Sequence, residues 1–419
     1  MQRSEENMDV TASSKPDRKS TDRGALRFII LIGLVSLFGD MTYEGARSII
    51  GPFLATLGAS ATVVGITAGF GELVGYAIRL FSGYVGDRTG RYWTVTIVGY
   101  IVNLLAVPLL ALAGSWDIAV VLIVAERMGR ALRAPTRDAM LSHAATRTGA
   151  GWAFGLHEAM DTTGAILGPL AVSAALYFRE GYNTSFGMLI VPALLSLGVL
   201  FAARSQFPAP HKLEVAEPIR EPDALPRQFW IFSVAAAFIG AGYADFSLLA
   251  YHFGKAAIVT SPWIPILYAI AMVAAAIAAL GLGRWFDRVG LVVIVPATII
   301  SAASAPMAFL GGPALVTVGV ICWGIGMGTQ ESVMRAVIGS MAPRERRGTA
   351  FGLFHTVFGV AWFVGSALLG IIYDHSVLGV AIVSLVLQLL ALPILYIVIR
   401  RWGSAMTSRG SSADPQGAE

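Results

Sequence analysis

Long apolar runs alternate with short polar breaks along almost the whole chain. Twelve runs come up to the roughly 20 residues that a bilayer-crossing helix needs: 28–57, 62–84, 92–114, 117–141, 151–177, 184–204, 228–252, 262–283, 291–310, 313–340, 349–374 and 376–400. They are long runs rich in Leu, Ala, Ile, Val and Gly, unlike the roughly ten-residue alternating segments of a membrane β-barrel. The pattern predicts an all-α, polytopic membrane protein with twelve spans. Residues 1–27 are polar and hold no apolar core, so no secretory signal peptide is expected there. The first span is expected to act as an uncleaved anchor. The Ser/Gly-rich tail, 402–419, is expected to be disordered. The longest polar stretch between spans is 205–227, which carries Pro208, Pro210, Pro218, Pro222 and Pro226. It reads as a linker between two six-span bundles, 28–204 and 228–401.

The two halves echo each other. Gly83, Asp87, Arg88 and Gly90 straddle the end of the second span, and Gly283, Asp287, Arg288 and Gly290 that of the eighth at the same spacing. Ala153-Phe154-Gly155-Leu156 recurs as Ala350-Phe351-Gly352-Leu353, and Tyr43 aligns with Tyr243. Duplicated bundles can rock about a shared midplane site, which is the mechanical basis of alternating access.

With these motifs the chain resembles the major facilitator superfamily of transporters over all twelve spans. The family's loop between spans 2 and 3, Gly-x-x-x-Asp-x-x-Gly-[Arg/Lys]-x-[Arg/Lys], is matched at Gly83, Asp87, Gly90 and Arg91, and departs at Trp93. The second copy matches at Gly283, Asp287, Arg288 and Gly290, then loses the bases. The resemblance implies a conformational latch. Asp87 would face the start of span 11 near Gly348–Phe351, where free N–H groups favour an anion, and Arg91 would pair with Asp138. A second resemblance, to the drug/proton antiporter branch, lies in span 5. Gly155, Gly164, Gly168 and Pro169 fit Gly-x8-Gly-x3-Gly-Pro-x2-Gly-Gly, whereas Val172 and Ser173 replace its last two glycines. Such glycines allow close helix packing, and the proline allows a bend.

Composition agrees: 56% of the 419 residues are hydrophobic and 13% charged, well below the charge of a soluble chain. Lys and Arg set the orientation. An internal N-terminus puts Arg88, Arg91, Arg147, Lys212, Arg220, Arg227, Arg284, Arg288, Arg344, Arg346, Arg347, Arg400 and Arg401 on the cytoplasmic side, with Arg179 and Lys255 outside. Both termini are therefore expected in the cytoplasm, with the protein in the cell (inner) membrane. The basic residues are scattered over separate short loops, which argues against a nucleic-acid partner. The lone Cys322 cannot form an internal disulfide and reads as a small buried hydrophobe.

Charges inside the spans are costly, roughly 2.5–3.5 kcal/mol each on insertion scales, so they face a cavity or one another. Asp40, Glu44 and Arg47 in span 1 share one helical face. So do Glu126, Arg130, Arg133 and Arg137 in span 4, with Arg127 beside them. Span 2 carries Glu72 and Arg79, and span 5 carries Glu158 and Asp161. The second half offers mainly Asp245, Glu331, Arg335 and His355. In the family that the chain resembles, spans 1, 4, 7 and 10 line the path. Asp40 is the first choice for a proton carrier, lying ~20 Å along its helix from Arg27. Glu126 and Asp161 come next, and Glu44, Glu72 and Glu158 are further candidates. Asp40 with Arg130, or Glu126 with Arg127, would give a carboxylate and a competing cation. Arg127, Arg130 and Arg133 would tune that group or hold an anion. Tyr43, Tyr76, Tyr243, Trp323 and Trp362 are candidate cavity aromatics. His157 and His355 occupy nearly matching places. The alternative for each pair is a static ion-pair network.

No phosphate-binding Gly-x-x-x-x-Gly-Lys-[Ser/Thr] loop, His-Glu-x-x-His or Gly-x-Ser-x-Gly motif appears, so neither ATP drive, a metal nor an enzyme activity is expected. The reading is a monomeric secondary transporter of a small organic solute. Its energy source is the proton gradient, its only other partner the lipid bilayer, and its direction efflux. Proton-coupled import or uniport of an organic anion, and a non-transporting sensor or lipid-handling protein, are the alternatives.

Overall fold

The structure, a computed structural model, describes residues 18–89, 91–148, 150–178, 181–208, 225–342 and 347–411. Among them there are helices and no strands. The first bundle holds α1 (Arg18–Thr56), α2 (Ala61–Thr89), α3 (Tyr92–Leu109), α4 (Trp116–Thr148), α5 (Ala150–Tyr177), and α6 (Gly181–Met188) with α7 (Ile190–Gln206). The second holds α8 (Arg227–Gly242) with α9 (Phe246–Lys255), α10 (Trp263–Val289), α11 (Ile294–Leu310), α12 (Pro313–Thr329) with α13 (Arg335–Met341), α14 (Arg347–His375) and α15 (Val377–Ser411).

By length and hydropathy, ten stretches among the described residues qualify as membrane spans. One, Trp263–Leu310, is the joined pair α10 and α11. The span missing from that set is α4, which carries Glu126, Arg127, Arg130, Arg133, Arg137 and Asp138. Large apolar side chains such as Val121, Ile277 and Leu280 stand on the outside of the bundle, as lipid contact requires and a soluble surface would not tolerate. Exposed Trp116, Tyr177 and Trp263 at one end, and Trp152, Trp230 and Trp285 at the other, mark the two interfaces.

Some elements differ from the sequence reading. Span 7 is broken: α8 stops at Gly242, and Asp245 restarts the chain by accepting the Ser247 N–H at 2.8 Å as the N-cap of α9. Span 10 is interrupted by a π-helical turn, Gln330–Met334, a form concentrated at functional sites. The latch glycines do not all sit in loops. Gly83, Asp87 and Arg88 lie within α2, and Gly283, Asp287 and Arg288 within α10. Gly290 ends α10 at φ 68, a left-handed conformation that suits glycine. The C-terminal helix continues to Ser411, so part of the tail expected to be disordered is helical. A helix already nucleated in the membrane extends at little cost per residue.

The halves meet through α1 against α9 and through a symmetric pair of contacts, α2 against α14 and α10 against α5. These contacts lie away from the termini. Gly51 abuts the Ser247 carbonyl, Gly65 the Ser366 carbonyl and Gly370 the Ala61 carbonyl; an added Cβ would come within 2.0, 2.3 and 2.6 Å respectively. Asp374 at the end of α14 accepts the N–H groups of Ala61 (3.0 Å) and Thr62 (2.9 Å) at the start of α2. Ser173 donates to the Pro262 carbonyl at 2.8 Å. The molecule is thus closed on the far face.

Candidate functional site

Between the halves lie two adjoining chambers of about 170 and 460 Å³. They share Tyr43, Glu44, Arg79, Arg130, Glu331, Arg335 and His355, and the larger extends to Arg137, Asp138 and Glu158 toward the termini. The walls come from α1, α2, α4, α5, the π turn with α13, and α14. No described residue of α8 or α9 lines either chamber, which corrects the expected place of span 7. Its break turns Asp245 into a cap, and Tyr243 packs inward instead.

The α1–α5 contact sets the position of Asp40. A Cβ on Gly164 would lie 2.2 Å from the Leu37 carbonyl, and one on Gly168 2.2 Å from that of Met41. The two glycines therefore bring the helix backbones together, and Asp40 and Asp161 face the same chamber. Pro169 lies within α5. Gly155 meets nothing within 4 Å and does not take part.

Asp40 is 5% exposed. Its nearest cation is Arg133, at 3.9 Å, and its Oδ1 has no hydrogen-bond partner. The expected partner, Arg130, is occupied elsewhere. Its guanidinium bonds Glu72 at 3.1 Å and lies over the Tyr43 ring at 4.9 Å. Arg133 donates to the Tyr100 hydroxyl at 2.9 Å and stacks over that ring. Arg137 bonds Asp138 at 2.9 Å and Ser36 at 3.0 Å, and comes within 3.9 Å of Asp161. Ser36 also meets His157 at 2.9 Å, which in turn lies 3.7 Å from Asp161. The first-half charges thus form two groups, Asp40 with Arg133 and Asp161 with Arg137 and His157, whose carboxylates line the same chamber.

A second cluster is more closely paired. Glu72 holds Arg127 at 2.8 Å as well as Arg130. Glu126 pairs with Arg127 at 3.3 Å, as expected, and accepts from Asn103 at 2.8 Å. Glu126 thus points toward α3, outside both chambers. A third cluster crosses the halves. Arg47 bonds Asp245 at 3.1 Å and lies 4.0 Å from Glu44, and Glu44 accepts the Tyr268 hydroxyl. Tyr268 escaped the sequence reading, because nothing distinguishes one apolar-run tyrosine from another until Glu44 faces it.

Tyr243 is fully buried, donates to the Trp323 carbonyl at 2.6 Å, and packs against Trp323 and Trp362. It and Trp323 belong to the core of the second half, whereas Trp362 reaches the smaller chamber. Of the latch, Asp138 holds Arg137 in this conformation. The Asp87 and Arg88 side chains, Gly90 and residues 343–346 fall outside the described residues, so the expected contact of Asp87 with span 11 does too, as does the Tyr76 side chain. In the second copy, Asp287 and Arg288 are exposed, and a Cβ on Gly283 would lie 3.0 Å from Ser332 Oγ.

Two six-helix bundles around a charged midplane cavity, closed at one end, define a membrane transporter. The chain belongs to the Major Facilitator Superfamily, whose family model matches residues 30–366 and, in a second overlapping match, 252–411. An uncharacterized protein of Mycobacterium tuberculosis is 38% identical over 381 residues, covering 89% of this chain and 93% of its own. An uncharacterized MFS-type transporter of Methanocaldococcus jannaschii is 26% identical over 88% of this chain and 94% of its own. Among solved structures, a single-site mutant of the peptide transporter POT superposes with a TM-score of 0.72 at 15% identity, covering 92% of this chain and 99% of that one. The nucleoside transporter NupG superposes with 0.71 at 13%, covering 90% and 99%. At such identities the likeness is one of fold.

Proposed function

We propose that this transporter is a proton-coupled exporter of a small, charged organic solute, working by alternating access in the cytoplasmic membrane with both termini inside. On this reading the structure is inward-open. The observation that carries it is Asp40: a buried carboxylate on the chamber wall, with one oxygen lacking a hydrogen-bond donor and only a distant cation for company. Buried polar atoms are almost always satisfied, so a carboxylate left this way is suited to take up a proton. Protonation would release Arg133 and change the charge that faces Asp161 on the same chamber wall. Coupling of this kind needs a carboxylate that burial and a neighbouring cation pull in opposite directions.

Export rather than import is supported by the span 5 glycines, two of which form the α1–α5 contact beside Asp40. The test is flux in proteoliposomes of known orientation with an imposed pH gradient. Accumulation of a charged test solute into inverted vesicles, driven by an acidic interior, is expected. Uptake only in right-side-out vesicles would sink the export reading. Gradient-independent equilibration would sink proton coupling.

A further inference from the structure

Three charges on the chamber walls stand apart from the pairs described above. Glu331 in the π turn, Arg335 one helical turn later and Glu158 on α5 are all exposed to the cavity. None makes a hydrogen bond or ion pair with any described residue. Arg335 offsets both carboxylates electrostatically, and the two carboxylates repel each other. The trio therefore carries one net negative charge in a space between the halves. A π turn widens the helix and re-aims one residue, and here it sets Glu331 into both chambers.

The smaller chamber adds an apolar wall beside that charge. Phe354, Phe358 and Trp362 lie on one face of α14 at steps of four, with successive ring centroids 5.8 and 5.6 Å apart. Met327 completes the wall. Trp362 is 8% exposed, and its indole N–H has no hydrogen-bond partner, although a buried indole usually finds one. Two carboxylates sharing one arginine, next to a flat apolar surface, fit one kind of ligand: a body that packs on the rings, attached to a positive nitrogen.

From this geometry we infer that Glu331, with Glu158 across the cavity and the Phe354–Phe358–Trp362 face beside it, forms a binding subsite for a monocationic amine with an aromatic or similarly flat apolar body. Arg335 is its selectivity element, lowering affinity for the cation and setting the trio at one net charge instead of two. The inference rests on the transporter reading of this cavity but not on proton coupling.

The experiment compares three probes that share one ring: 2-phenylethylamine, phenylalanine and 3-phenylpropionate. Binding is measured by calorimetry on the full-length protein in nanodiscs without a pH gradient, so success or failure is independent of proton-driven flux. The amine is expected to bind at least tenfold more tightly than the propionate, with the zwitterion between. Glu331→Gln should weaken amine binding at least tenfold and leave the propionate unchanged. Arg335→Gln should tighten the amine several-fold, and it decides the question if Glu331→Gln does not fold. Equal binding of amine and propionate, no amine binding at millimolar concentration, or amine affinity unchanged in both variants would overturn the subsite.

Discussion

Asp40 is buried and Glu72 half-buried, both near arginines of α4, yet their surroundings give them different work. Glu72 is saturated by Arg127 at 2.8 Å and Arg130 at 3.1 Å. Removing one partner of a buried pair leaves the other charge stranded and costs about 3–5 kcal/mol. Glu72→Gln is therefore expected to lower the unfolding midpoint of the purified protein sharply. A melting curve unchanged from wild type would show the cluster to be dispensable for stability. Asp40, by contrast, has only Arg133 at 3.9 Å and an unfilled oxygen. Asp40→Asn should leave melting within about 1 kcal/mol, since little bonding is lost, and abolish proton-driven accumulation while counterflow exchange continues. Full retention of gradient-driven transport would remove Asp40 as the carrier. The sequence placed both acids inside spans. It could not show which arginine each would meet, because Arg127, Arg130 and Arg133 sit on one helix and rotation of α4 decides the pairing.

Spans were the most legible elements, since a run of about 20 apolar residues leaves few other structures possible. Breaks within them were not. Nothing in the apolar run around Tyr243 announces that Asp245 will cap a new helix, because a cap and a buried ion-pair partner look alike until the Arg47 guanidinium is in place. The π turn at Gln330–Met334 is equally silent. The span 5 glycines were half legible: spacing pointed to close packing, and the structure directs it to α1 for Gly164 and Gly168 but leaves Gly155 without a neighbour. Paired substitutions measure this difference. Gly164→Ala would drive a Cβ to 2.2 Å from the Leu37 carbonyl. Backbone cannot yield as a flexible side chain would, so the variant should lose about 1–3 kcal/mol. Gly155→Ala adds a methyl in open space and should be neutral or stabilise by about 0.5–1 kcal/mol, as helix-interior Gly to Ala changes do. Equal melting of the two variants would contradict the α1–α5 contact.

At the scale of the whole molecule, alternating access requires that each face have a closure that can be undone. The sequence pointed to such a device near the termini, in the Asp87 motif. The structure adds one at the other end of the same helix pair. Asp374, closing α14, accepts two N–H groups and the Thr62 hydroxyl at 2.6 Å from the start of α2. A carboxylate there satisfies donors that a helix start leaves open and meets the positive end of its dipole. The equivalent contact between α5 and α10, Ser173 to the Pro262 carbonyl, is uncharged, so the far-face closure is asymmetric. Opening that face must break the Asp374 bonds across the halves. A cap of this kind contributes about 0.5–2 kcal/mol, so Asp374→Ala should shift the equilibrium toward far-face opening by about 2- to 30-fold, at about 1.4 kcal/mol per factor of ten. Ser247, buried where α9 meets Gly51 of α1, reports that opening once it is Ser247→Cys in a Cys322→Ser background. Labelling by a membrane-impermeant thiol reagent from the far face should accelerate by that factor when Asp374→Ala is added. An unchanged rate would mean that the closure is held by the glycine contacts of α1, α2 and α14 alone, with Asp374 serving only to start α2.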